Sequence, residues 1–138
     1  MLLESPPGGP VQLVPTTRIL VVDDEELICS ALRRLLIPAS IECATDPVAA
    51  LDLIRGGQRY DAVLCDLMMP IASGLDLYEQ VLQIAGNVAA RFVFITGSPD
   101  SPLARRARSL GTPPVLEKPF DIELLRETLR QLPDRLNE

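Results

Sequence analysis

Five short apolar runs, each followed by a stretch with helical periodicity, set the narrowest limit on this fold. They are RILVVD (18–23), IECAT (41–45), DAVLCD (61–66), RFVFIT (91–96) and PPVLEK (113–118). They lack a clean alternation of apolar and polar positions, so they are expected to be strands buried on both faces. After the first run, Leu27, Ile28, Ala31, Leu32, Leu35 and Leu36 make one apolar stripe at helical spacing, ended by Pro38. Asp46-Pro47 reads as an N-cap with proline at the first helical position, and that helix runs to Gly56-Gly57. A third helix is expected over 75–85, with Leu77, Val81 and Ile84 on one face, and a fourth over about 101–110. Asp121 suits the N-cap of a last helix, with Phe120 stapled onto Leu125 and an end near Pro133. Repeated β-α units of this kind predict an α/β fold, a parallel sheet covered by helices on both faces.

Composition narrows the function. The chain has 138 residues, a length that suits one domain, and a net charge of −6. That balance gives no electrostatic reason to expect nucleic acid or an anionic membrane as a direct partner. There is no histidine, which excludes a Ser-His-Asp triad, a Cys-His pair and a phosphohistidine carrier. Cys29, Cys43 and Cys65 are scattered without a CxxC spacing, so they are expected as buried free thiols in a reducing, cytoplasmic setting. No apolar run approaches the roughly 20 residues of a membrane helix, and the first residues lack the pattern of a signal peptide. Residues 1–17, broken by Pro6, Pro7, Gly8, Gly9, Pro10 and Pro15, are expected as a flexible tail or linker. The domain is then 18–133, with 134–138 as a C-terminal tail.

In a parallel sheet of this type the site lies at the carboxyl ends of the strands. The first strand ends in Asp23-Asp24-Glu25, the third in Asp66, the fourth in Thr96 and the fifth in Lys118. Clustered carboxylates disfavour one another's ionised form, and an oxygen-seeking divalent cation offsets that repulsion; Mg2+ suits a partly hydrated carboxylate site. A carboxylate can attack phosphorus, while a metal and a lysine neutralise the transferring oxygens. A threonine hydroxyl can bond a phosphoryl oxygen. These residue types point to phosphoryl chemistry with Asp66 as nucleophile, in a loop shaped by Met69-Pro70 and Gly74.

The blocks ILVVDDE, DLMMPIASG, ITG and EKPF, in this order on five βα units, resemble the receiver domain of two-component response regulators over residues 18 to 132. The resemblance implies a flavodoxin-like, doubly wound five-stranded sheet of order 2-1-3-4-5 with about five helices. It implies Asp66 as phosphoacceptor and Asp24 as direct metal ligand, with Asp23 holding the metal and its waters. Met68 matches the position whose backbone carbonyl binds the metal, Thr96 the switch hydroxyl and Lys118 the phosphate-pairing lysine. The cofactor implied is Mg2+, with Mn2+ as a substitute. The partners implied are a histidine kinase or histidine phosphotransfer protein and an unidentified downstream protein. One position departs from the pattern: Val115 stands where many members carry an aromatic that turns inward on activation. The EKPF block after a Pro-Pro pair also resembles receivers attached to hybrid histidine kinases, beside the stand-alone regulators.

Two other classes are set against this reading. One is a degenerate receiver acting only as an interaction or dimerisation module, against which the intact acidic pair, acceptor, threonine and lysine weigh. The other is a phosphatase of the haloacid dehalogenase type, which wants a second acid two residues after its nucleophile, where this chain has Met68. Arg105, Arg106 and Arg108 are read as a solvated helix face or part of a partner surface.

Overall fold

The computed structural model of the chain describes residues 11–111 and 113–132. In chain order the elements are β1 (Arg18–Val22), α1 (Glu26–Leu35), β2 (Ser40–Ala44), α2 (Pro47–Arg55), β3 (Ala62–Asp66), α3 (Gly74–Ile84), α4 (Gly86–Ala89), β4 (Phe92–Thr96), α5 (Pro102–Ser109), β5 (Val115–Glu117) and α6 (Ile122–Arg130). All strand pairs are parallel, and the sheet order is β2-β1-β3-β4-β5. The expected α/β fold and strand order are what the chain adopts. Four strands are one or more residues shorter than the apolar runs that announce them, and β2 has the length of its run but starts one residue earlier.

Strand periodicity divides the core in two. Leu20, Val22, Val63, Cys65, Phe92 and Phe94 face α2, α3 and α5 on one side of the sheet. Ile19, Val21, Ala62, Leu64, Val93 and Ile95 face α1 and α6 on the other. Alternate residues of one strand therefore serve opposite layers, so neither set can be polar. Tyr78 of α3 meets the rings of Phe92 and Phe94 edge-on, with centroids 5.4 and 5.5 Å apart. Buried Arg91 is held at the opposite edge from the strand ends, its guanidinium donating to the Asp61 carbonyl at 3.2 Å.

The caps follow the sequence. Asp46 accepts from the Ala49 amide at the start of α2, and Asp121 from the Glu123 and Leu124 amides at the start of α6. Ser73 caps α3 in a reciprocal box with Asp76.

Five expectations are corrected. The inward face of α1 is Cys29, Leu32 and Leu36, while Leu27 is 82% exposed and Leu35 also lies open. The apolar stripe is wider than the face that docks, and the helix turns its smaller Cys29 toward the sheet. Ile84 is likewise half exposed at the end of α3. A sixth helix, the single turn α4, follows α3 where no apolar period could announce it. Residues 11–17 are not a loose lead-in: Val11 is buried in the α1–α6 layer, and Thr17 is buried and hydrogen-bonded to Val14 and Gln12. Residues 1–10 and the expected tail 134–138 lie outside the described residues. Finally, Cys29 and Cys43, scattered along the chain, are brought face to face between α1 and β2, with Cα atoms 6.3 Å apart; Cys65 is free and buried.

Candidate functional site

The loop after β1 is fixed at both ends. The Asp23 amide donates to the Ala44 carbonyl at 3.1 Å, and Asp23 Oδ1 accepts from the Glu25 amide at 2.8 Å. Asp23 is thereby buried, while Asp24 next to it is exposed. Asp66 is the last residue of β3 and is 5% exposed. Its Oδ1 accepts from the Met68 amide at 3.2 Å. Asp23, Asp24 and Asp66 each offer a carboxylate oxygen within 4.8 Å of the others.

Lys118 reaches into this group from the end of β5. Its Nζ lies 2.9 Å from Asp23 Oδ2, 3.4 Å from Asp66 Oδ2 and 3.3 Å from Glu25 Oε1. The Lys118 ammonium is the one partner seen for the buried Asp23 Oδ2 among the described residues. Burial pushes the Asp66 carboxyl above its ordinary value; the Met68 amide opposes the rise, Asp23 adds to it and Lys118 opposes it. Burial alone would lower the Lys118 ammonium, but Asp23, Asp66 and Glu25 together hold it above its ordinary range. A buried carboxylate oxygen with lone pairs to spare, in a set of three carboxylates, is the donor chemistry of a hard divalent cation. The residues present therefore fit Mg2+.

The loop beyond Asp66 is shaped by close approach. A Cβ on Gly74 would collide with the Asp66 carbonyl oxygen and stand 2.9 Å from Cys65 Sγ. The Gly74 amide donates to the Leu67 carbonyl at 2.9 Å, which draws the start of α3 under the site. Ile71, at the tip, is 95% exposed with φ +78°, an uncommon conformation for a β-branched residue. Met68 is half exposed and Met69 packs inward.

Thr96 ends β4 fully buried, its Oγ1 accepting from the Ser98 amide at 3.0 Å and its carbonyl accepting from the Lys118 amide at 2.8 Å. Val115 lies opposite Phe94 in the β4–β5 register and packs into the α2–α3 layer. The fold thus gathers Asp23, Asp24, Asp66 and Lys118 at one point, with Thr96 joined to Lys118 through the backbone. Val115 lies farther back along β5. Glu25 is the contact that sequence reasoning missed; its place in the run Asp23-Asp24-Glu25 was the available signal. Arg106 pairs with Glu79 and Arg108 with Glu117, both at the surface.

A doubly wound parallel sheet with carboxylates and a lysine at its carboxyl edge defines a class of α/β domains whose site lies at the strand ends. Residues 19–130 match the family model described as response regulator receiver domain, and the chain belongs to that family. It is 38% identical over 119 residues to the response regulator MprA of Mycobacterium sp. (strain KMS), covering 83% of this chain and 50% of that protein. It is 32% identical over 116 residues to the C4-dicarboxylate transport transcriptional regulatory protein DctD of Pseudomonas aeruginosa, covering 83% of this chain and 25% of that one. The chain therefore spans about half or less of these relatives. Among solved structures, the signal receiver domain of an HD domain-containing protein from Pseudomonas fluorescens Pf-5 superposes with TM-score 0.74 at 30% identity, covering 84% of this chain and 93% of that one. The response regulator TrrA from Thermotoga maritima, in complex with Mg2+-BeF, superposes with TM-score 0.72 at 26% identity, covering 84% and 98%. The chain is a signalling receiver domain of the two-component type. No helix among the described residues is long and apolar enough to cross a membrane.

Proposed function

We propose that this receiver accepts a phosphoryl group on Asp66 from a phosphohistidine of a histidine kinase or histidine phosphotransfer protein. The observation that carries this reading is the meeting of Asp23, Asp24 and Asp66 within 4.8 Å of one another, with the Lys118 ammonium paired to Asp23 and Asp66. Asp24, Asp66 and the Met68 backbone carbonyl would hold Mg2+, or Mn2+ in its place, with Asp23 acting through water. Bound there, the cation neutralises charge on the transferring oxygens. An Asp66 carboxylate oxygen attacks phosphorus, and the P–N bond breaks with its electron pair returning to the donor imidazole. Lys118 pairs with a phosphoryl oxygen. The missing histidine is consistent with a chain that receives and cannot donate in this way. Water later attacks the aspartyl phosphate and releases inorganic phosphate.

Output follows from the neighbours of the site. A phosphoryl group on Asp66 offers new acceptor oxygens to the Thr96 hydroxyl and to Lys118, whose backbones are already joined. Val115 carries no ring to rotate, so the change is borne by Thr96 and the ends of β4 and β5, facing an unidentified downstream protein. The acidic balance gives this domain no reason to bind nucleic acid itself.

The test is intact-mass spectrometry after incubation with a small phosphodonor and Mg2+, beside a metal-free control and Asp66→Asn. One phosphoryl group that requires both Mg2+ and Asp66 is expected. Labelling that persists in Asp66→Asn overturns the assignment.

A further inference from the structure

Away from the carboxylates, the fold brings together two thiol side chains from separate elements. Cys29 on α1 and Cys43 on β2 are 14 residues apart in sequence, and their Cα atoms are 6.3 Å apart. That spacing lies within the range a disulfide spans. Cys43 pairs with Val21 across the sheet, so its side chain faces the α1 layer, into which Cys29 also points. Cys29 is 6% exposed, whereas Cys43 is only partly buried and sits on the edge strand β2. A small oxidant therefore reaches Cys43 first. Cys65 faces the other layer at 0% exposure and takes no part.

The pair also sits at a mechanically useful place. α1 begins directly after the loop that carries Asp23 and Asp24, and Cys29 lies in its first turns. Cys43 immediately precedes Ala44, whose carbonyl holds the Asp23 amide. A covalent link here would close a small frame around the acidic loop: β1 to β2 through the sheet, β2 to α1 through sulfur, and α1 back to β1 through the loop itself.

We propose that Cys29 and Cys43 are a redox modification site, closed by a peroxide-class oxidant into a disulfide that braces the acidic loop and reopened by a thiol reductant. The Cys43 thiolate attacks one oxygen of hydrogen peroxide, and the O–O bond breaks. Hydroxide leaves, takes up the proton that Cys43 gave up, and becomes water, while Cys43 becomes a sulfenic acid. The Cys29 sulfur then attacks the Cys43 sulfur, the S–O bond breaks, and the oxygen leaves as a second water with the Cys29 proton. Two thiols and one peroxide give one disulfide and two waters. The site does not depend on Asp66 or on phosphorylation.

The experiment treats the fully reduced chain with hydrogen peroxide, denatures it, alkylates the remaining thiols and maps the peptides by mass. The expected result is the loss of two hydrogens, a cross-linked peptide pair containing Cys29 and Cys43, alkylation at Cys65 alone, and full reversal by dithiothreitol. Cys29→Ser should instead stop at a sulfenic acid on Cys43 that dimedone traps. Amide exchange through residues 24–29 should slow by about tenfold on oxidation of the wild type and stay unchanged in Cys43→Ser. Alkylation at all three cysteines, over-oxidation of Cys43 without closure, or a link between two chains would overturn the proposal. So would closure without any slowing of exchange, because the brace would then be missing.

Discussion

Lys118 Nζ stands 2.9 Å from Asp23 Oδ2, although β3 and β4 separate their strands in the sheet. The lysine stem crosses the carboxyl edge of the sheet to reach the first strand's acid. The ammonium thus serves as an internal counter-ion to Asp23 and Asp66, in the same space where a divalent cation would draw on their oxygens.

Lys118→Ala should therefore have opposite effects with and without metal. Without metal the variant loses about 2 kcal/mol of stability, because two buried carboxylates lose their counter-charge. Added Mg2+ should raise its melting temperature by more than it raises that of the wild type. Thermal unfolding with EDTA and across a Mg2+ series checks both halves. An equal Mg2+ response in the two proteins would argue against competition between the lysine and the metal.

Asp66→Asn should melt higher than the wild type in EDTA, by about 3 °C, since it removes a carboxylate that burial disfavours. The sign follows from linkage. The folded-state value of Asp66 is raised above 3.8, so its contribution is complete below 3.8 and is lost as pH rises through the folded value. Above that window the ionised wild type is the weaker of the two, and the gap between the melting curves should open there. Titrating both proteins from acid to neutral pH measures it. The variant should also lose most of its stabilisation by Mg2+.

Gly74→Ala places a methyl against the backbone of Asp66, which cannot yield as a side-chain end would. We expect a loss of about 3 kcal/mol in urea unfolding, together with weakened Mg2+ binding, because Asp66 itself must shift. Gly86→Ala, where a Cβ meets nothing within 4 Å, is the matched control and should be close to neutral.

Ser73→Ala removes the hydroxyl that accepts from the Asp76 amide at 3.1 Å and leaves the reciprocal bond alone. The expected cost is about 1 kcal/mol, read from chemical denaturation. Phosphoacceptance should survive, since the cap lies outside the carboxylate group.

The central strands β1, β3 and β4 were legible because burial on both faces forces apolar runs, and the carboxylates Asp23 and Asp66 were legible as the residues that break the first and third of those runs. The caps at Asp46 and Asp121 were legible because a helix start has few chemical solutions. Three features were not. The exposure of Leu27 depends on which way α1 rolls on the sheet, and Cys29 gave the apolar period no decisive weight. The pairing of Cys29 with Cys43 needs the separation of helix and strand in space, which spacing along the chain does not contain. Val11 follows a Pro-Gly-rich stretch, and nothing local marks it as packed. At the site itself Asp23, Asp24, Asp66 and Lys118 were readable as strand-end residues. The reach of Lys118 toward Glu25 depends on a side-chain path that only the folded sheet provides.

The burial of Val11 decides how this domain can be handled and joined to other chains. Because that residue is seated in the α1–α6 layer and leads into the start of β1, it pins the amino-terminal approach to the edge of the sheet remote from Asp66. A dye or affinity tag joined directly at Val11 would start from that rear edge, away from the carboxylate face. A cut at Arg18, where the first strand begins, would instead strip a plug from the core and leave a hole in the α1–α6 layer.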